Sequence, residues 1–275
     1  MKKRTALLLS LFAFAMILII GSCKKKDETA APEQAPTIPP SSTMVMDFNA
    51  LPSSAKKQSA NTPVDSSNLI YAAFNVGVWN LVIGLNMVVP TAAFLESFNH
   101  TAVNTGKGTW EWTYSFNAGG TYTAELDANV VGNHVEWKMY ISKASVFSDL
   151  LWFSGISAID GKSGNWTLNR KDAIANTVSP FIYIDWTRTS SQLYTTKYTN
   201  IIPNDTGNGS YVYYGLTTDT SYNAYYNIFY KNNSNLVEIK WHKTNRNGRV
   251  KDALHFNDTN WHCWSTTLAN DTLCQ

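Results

Sequence analysis

The chain has 275 residues, with 22 Lys and Arg against 20 Asp and Glu, and a formal charge of +2 at pH 7. Setting aside Lys2, Lys3 and Arg4, which belong to a leader described below, leaves 19 basic and 20 acidic residues, or −1; so neutral a body excludes general nucleic-acid binding, which needs a basic surface. Ten Trp, 14 Tyr and 12 Phe among many Thr, Ser and Asn is the composition of β-structure joined by polar turns.

The N-terminus comes first. Lys2, Lys3 and Arg4 form a positive segment, and Ala6 to Ile20 follow with only Ser10 interrupting the apolar run. That is the length of a signal-peptide core and short for a membrane span. Ile20-Gly21-Ser22-Cys23 resembles the lipobox of bacterial lipoproteins. The resemblance implies cleavage before Cys23, lipid on its thiol, and the membrane as a partner through that lipid; several acyl chains hold stably where one binds marginally. Lys24-Lys25-Lys26-Asp27-Glu28 resembles the surface-export signal of Bacteroidota lipoproteins, which implies an outer-membrane protein exposed at the cell surface, with the periplasmic face as the alternative. Thr29 to Pro63 holds six prolines and many Ala, Ser and Thr, and reads as a flexible spacer. The expected organisation is a leader over 1–22, a lipidated disordered tether over 23–64 and one domain over 65–275.

Leu69 to Leu95 contains no charged residue. Asn75, Asn80 and Asn86, with Gly77 and Gly84, make it a poor membrane stop, and an apolar surface nearly all round predicts a buried helix. Ser66 or Ser67 can cap its start. Pro90 ends or kinks it, with Thr91 to Phe98 as a second short helix.

From Thr109 the period becomes two. Trp110, Trp112, Tyr114 and Phe116 alternate with polar residues, then Tyr122 to Val130 and Val135 to Ile141 alternate again across glycine turns. Further strand-like runs are Leu150 to Ala158, Asn165 to Arg170, Phe181 to Arg188, Leu193 to Thr199, Ser210 to Leu216, Tyr222 to Lys231, Leu236 to His242, Arg249 to Phe256 and Trp261 to Ser265. Short joins favour antiparallel neighbours. The expected fold class is mainly β with one long N-terminal helix: an antiparallel curved sheet or barrel of about eleven strands wrapped around the buried helix. Lipoprotein carriers of Gram-negative envelopes share that architecture, although no motif ties this chain to them.

Val76-Gly77-Val78-Trp79-Asn80, Val89-Pro90 to Phe94, Glu136 to Ser142, Leu151-Trp152-Phe153-Ser154-Gly155 and Gly164 to Leu168 carry a wider likeness. By these stretches the mature chain resembles a group of uncharacterised Bacteroidota lipoproteins, a resemblance that brings no activity with it.

Chemistry is sparse. There is no GxSxG elbow, HExxH pair, phosphate loop or dinucleotide glycine pattern, so no catalytic residue, metal site or cofactor is assigned. Cys263 and Cys274 are an even pair in an exported protein and read as a disulfide closing a loop of about ten residues. His100, His134, His242, His255 and His262 match no common ligand spacing and read as surface or turn residues. Glu125, Asp127 and Glu136 read as solvated strand faces, although paired carboxylates also serve glycoside hydrolysis. Lys240, Lys243, Arg246, Arg249 and Lys251 cluster on one predicted hairpin, either as a patch for anions or lipid headgroups or as a charged hairpin that resists edge pairing. Asp271-Thr272-Leu273 resembles a short O-glycosylation signal of Bacteroidota secreted proteins. The leading expectation is a non-catalytic envelope lipoprotein that binds a lipid or other hydrophobic ligand inside its domain. The alternatives are a surface glycan-binding module, a glycan-acting hydrolase and a structural accessory of a larger complex.

Overall fold

A computed structural model of the chain describes residues 34–52, 65–171, 178–190 and 193–273. The leader, Cys23, the Lys24 to Glu28 stretch and Cys274 lie outside the described residues.

Strands dominate from Val103 onward. They are β1 (Val103–Gly106), β2 (Thr109–Asn117), β3 (Thr121–Val131), β4 (His134–Lys143), β5 (Phe147–Ala158), β6 (Ser163–Lys171), β7 (Val178–Ser190), β8 (Leu193–Asn200), β9 (Tyr211–Leu216), β10 (Ala224–Tyr230), β11 (Asn235–Trp241), β12 (Gly248–Lys251), β13 (His262–Trp264) and β14 (Asn270–Asp271). All 14 belong to one antiparallel sheet in strict sequence order. The sheet is open: among the described residues β1 pairs only with β2 and β14 only with β13. Neither a closed barrel nor the expected eleven strands describes it. The additional strands are short pieces at its two ends, too brief for a period of two to reveal.

The alternation seen in sequence is the face assignment of the sheet. Along β2, Trp110, Trp112, Tyr114 and Phe116 are buried, whereas Thr113, Ser115 and Asn117 are exposed. Eight of the ten tryptophans are buried, so most of the aromatic excess is core rather than display surface. Several inner tryptophans lie opposite glycines: Trp166 pairs with Gly155, Trp186 with Gly164, and Trp264 with Gly248. A Cβ on Gly155 would collide with the Asn165 carbonyl and the Trp166 ring, and one on Gly164 would sit 2.7 Å from Trp186 Cζ2. Bare backbone at these positions lets indole rings lie flat across neighbouring strands, which a twisted, aromatic-filled sheet requires.

One long helix, α1 (Ser67–Ser97), precedes the sheet. It runs through Pro90 without stopping, so the expected break and second helix do not occur. The ring of Pro90 is buried, and tertiary packing overrides its cost of about 3 kcal/mol. The expected serine cap is absent too: Ser66 makes no side-chain capping bond. Asp65 Oδ1 accepts from Ser67 N at 3.0 Å, and Asn270 Oδ1 accepts from Asn68 N at 3.1 Å.

The helix touches strands at both ends of the sheet. Near its start, Asn68 Nδ2 donates to the Cys263 carbonyl at 2.9 Å; near its end, the Tyr114 hydroxyl donates to the Ala93 carbonyl at 2.6 Å. One stripe is buried, through Leu69, Ala72, Val76, Trp79, Ile83, Met87, Pro90, Phe94 and Ser97. The rest corrects the expectation of a wholly buried helix. Phe74, Leu81 and Leu85 are 67%, 63% and 74% exposed. By length and composition α1 could cross a membrane. An all-apolar helix carries no period to mark which side faces the core.

The largest departure is the predicted tether. Residues 35–52 are a strap packed on the inner face of the sheet. Met44, Met46 and Leu51 are buried, and a 3₁₀ turn at Ser41–Thr43 starts the contact. Trp166 Nε1 donates to Thr43 Oγ1 at 3.2 Å, Thr196 Oγ1 to the Ser42 carbonyl at 3.3 Å, the Tyr226 hydroxyl to the Asp47 carbonyl, and Trp241 Nε1 to the Ala50 carbonyl at 3.1 Å. The strap therefore crosses from β6 to β11. Its backbone carbonyls satisfy inner-face donors that would otherwise be stranded in the core. Prolines dominated the composition of the segment and hid Ile38, Met44, Met46, Phe48 and Leu51, which pack against or within the core.

Candidate functional site

The strap and α1 lie side by side with a groove between them. Its apolar half is a cavity of about 390 Å³ lined by Met44, Val45, Met46 and Phe48 from the strap and by Ile83, Gly84, Met87, Val88, Ala92 and Leu95 from the helix, with Tyr198 of β8. This mostly apolar concavity has the size and lining of a ligand site. A second cavity of about 580 Å³ continues toward the start of the helix, sharing Phe48 and Asn80 with the first. Leu51, Pro52, Ala73 and Gly77 line it, and Lys243 and Arg246 enter from the turn between β11 and β12.

Two helix glycines give the groove its width. A Cβ on Gly77 would meet nothing within 4 Å, and one on Gly84 would meet only Asn80 Oδ1 at 4.0 Å. Glycine costs a helix about 1 kcal/mol relative to alanine. No packing constraint demands it at either position, and the space it leaves is groove.

The five cations of the predicted patch do not act as one group. Lys240, Arg249 and Lys251 gather over the Trp261 ring, with centroid distances of 5.4, 4.4 and 5.0 Å. Arg249 also covers Tyr222, and Lys251 pairs with Glu238. Lys243 and Arg246 sit apart on the exposed turn, at the groove. The hairpin is also not an edge, since β12 continues into β13.

A polar knot fixes the first turns of α1. Asp252, 1% exposed, accepts from the Tyr71 hydroxyl, from Asn235 Nδ2 at 3.0 Å, and from Leu254 N and His255 N at 2.9 and 3.1 Å. The last two bonds cap the single-turn helix α2 (Ala253–Phe256), which occupies the end of a run expected to be strand. Burial pushes the Asp252 carboxyl up, but the hydrogen bonds outweigh it and hold the group below its ordinary value. Beside it, the Tyr230 hydroxyl donates to Asn75 Oδ1 at 3.0 Å. Asn75 is buried, whereas Asn86, further along the helix, is exposed.

Glu111, Glu125 and Asp127 each bring a carboxylate oxygen within 4.8 Å of the others on the outer face of β2 and β3. Glu136 lines the same shallow depression. Burial first, then the charges of Asp127, Glu111 and Asp149, raises the Glu125 carboxyl; burial and Glu111 raise Asp127 against the opposing charge of Lys138. The histidines take local roles: His100 meets Glu96 at 3.0 Å, His262 meets Asp258 at 3.2 Å, His255 stacks on Tyr71, and His242 Nδ1 accepts from Asn245 N at 2.9 Å. Cys263 is disulfide-bonded; its predicted partner, Cys274, lies outside the described residues.

No protein-family model, curated protein or solved structure matches this chain.

Proposed function

We propose that this chain is an exported, lipid-anchored envelope protein that binds a hydrophobic molecule in the groove between α1 and the strap. The location rests on the lipobox-like Ile20-Gly21-Ser22-Cys23 and the resemblance to Bacteroidota lipoproteins. In this reading the open sheet curls over the helix and the lipid on Cys23 holds the domain at the outer membrane, on its outer surface.

The observation that carries the binding role is the apolar cavity of about 390 Å³, walled by Met44, Met46, Phe48, Ile83, Met87 and Leu95. Methionine and leucine walls adapt to a flexible chain. The described residues that line the groove include none of the convergent acid, base and nucleophile that a hydrolase needs.

The test is lipid extraction and native mass spectrometry of the full chain purified from membranes, beside Gly84→Leu. The added Cβ meets only Asn80 Oδ1 at 4.0 Å, and the rest of the leucine is expected to occupy the groove. A small apolar adduct on the wild type that Gly84→Leu lacks supports the role. A wild type that carries no adduct, and whose melting temperature no added lipid changes, overturns it.

A further inference from the structure

We infer that the groove takes a single-chain amphiphile with an anionic head, its chain along Ile83 to Leu95 and its head between Lys243 and Arg246. This rests on the groove reading above and adds the chemistry and direction of the ligand.

Charge supplies the first argument. Among the described residues, Lys243 and Arg246 are the only charged ones lining either cavity, and both stand at one end. Among the described residues neither joins an ion pair. Asp47, the acid nearest in the strap's sequence, lines neither cavity, and its Oδ1 accepts from Asn49 N at 3.2 Å. Two cations at the polar end of a groove whose other end is apolar complement a carboxylate or phosphate joined to an apolar chain, whereas a neutral lipid would leave them idle.

Size supplies the second. At about 30 Å³ for a water-sized group, the apolar cavity of about 390 Å³ holds about thirteen methylene-sized groups. That suits one acyl chain. The groove is also long. Gly77, in the basic half, and Leu95, at the far end, are separated along α1 by about 27 Å at 1.5 Å per residue.

A free fatty acid and a lysophospholipid share this chemistry, and the experiment separates them. The full chain in phosphatidylcholine nanodiscs is photolabelled with diazirine-bearing palmitate, lysophosphatidic acid or monoacylglycerol, and the labelled residues are mapped by mass spectrometry. The variants are Gly84→Leu and the double change Lys243→Gln with Arg246→Gln, each checked for native near-ultraviolet dichroism. The expected result is labelling within Met44 to Phe48 and Asn80 to Leu95 by one or both anionic probes. The double variant should reduce it about tenfold, the ratio that ~1.4 kcal/mol produces. Whichever anionic probe labels more strongly identifies the head. Equal labelling by monoacylglycerol, unchanged in the double variant but abolished by Gly84→Leu, overturns the anionic head and leaves the groove reading standing. Absence of groove labelling by every probe overturns both.

Discussion

The Tyr71 hydroxyl donates to the buried Asp252 carboxylate, joining the second turn of α1 to a corner 181 residues away in sequence. Around this bond the helix is fixed by polar contacts, whereas further along it is held by its apolar stripe. A hydrogen bond to a charged, buried acceptor contributes about 1.5–3 kcal/mol. Tyr71→Phe should therefore destabilise the domain by roughly that amount, measured by urea denaturation.

The same carboxylate sets a pH dependence. Its value is lowered in the folded protein, so its contribution is fully present above the ordinary carboxyl value of 3.8 and disappears as pH falls through the lower folded value. Asp65, Asp160, Asp219 and Asp258 shift in the same direction, so acid melting of the wild type reports all of them. Asp252→Asn isolates one. The melting temperatures of wild type and variant should differ most near pH 6 and converge below pH 3.8. A constant difference across that range would show that the ionised form matters little.

Glycines divide into two kinds with opposite responses. Gly155→Ala forces a methyl into the Asn165 carbonyl and the Trp166 ring, both fixed, and overpacking of this kind costs about 1–3 kcal/mol or more. Gly77→Ala and Gly84→Ala meet open space on a helix and should each add about 0.5–1 kcal/mol of stability. Thermal melts of the three variants check the contrast. A destabilised Gly84→Ala would mean that the groove is narrower than described.

Removing the strap tests whether it is part of the core. A chain beginning at Asp65 lacks Met44, Met46 and Leu51 and leaves the Trp166 and Trp241 indole donors without their acceptors. Such a chain should melt lower and bind an apolar dye strongly. If it matches the full chain in both measurements, the strap is ornamental.

Much of this architecture was legible from residues, and the reasons for the rest are specific. Strands β2 to β4 declared their inner faces because one side meets an aromatic core and the other meets water. The path of the strap was not legible, since a Pro-, Ser- and Thr-rich stretch averages to disorder even when Met44, Met46 and Leu51 are spaced to fill a sheet. The exposed side of α1 was hidden by its uniform apolarity. Of the proposed site, sequence pointed to the helix and to Lys243 and Arg246, but it grouped those two with Lys240, Arg249 and Lys251. Only the pairing of β11 with β12 and the position of Trp261 separate a turn from a sheet face. Contacts such as Tyr71 with Asp252 join distant parts of the chain and have no local signature.

The strict sequence order of the sheet has a consequence for how the molecule is made. Each hairpin can close as soon as its second strand emerges, without waiting for distant partners, and such local pairing favours rapid assembly. The helix has the opposite fate. It is synthesised before every strand, yet Asp252, Cys263 and Asn270, which dock its first turns, appear only after β1 to β12 have been made. Throughout synthesis, 31 residues of nearly uncharged helix have no complete bed to lie on. The nascent chain is consequently most prone to aggregate until the segment from Asp252 to Asn270 has emerged, and a variant lacking that segment should depend on a holding chaperone.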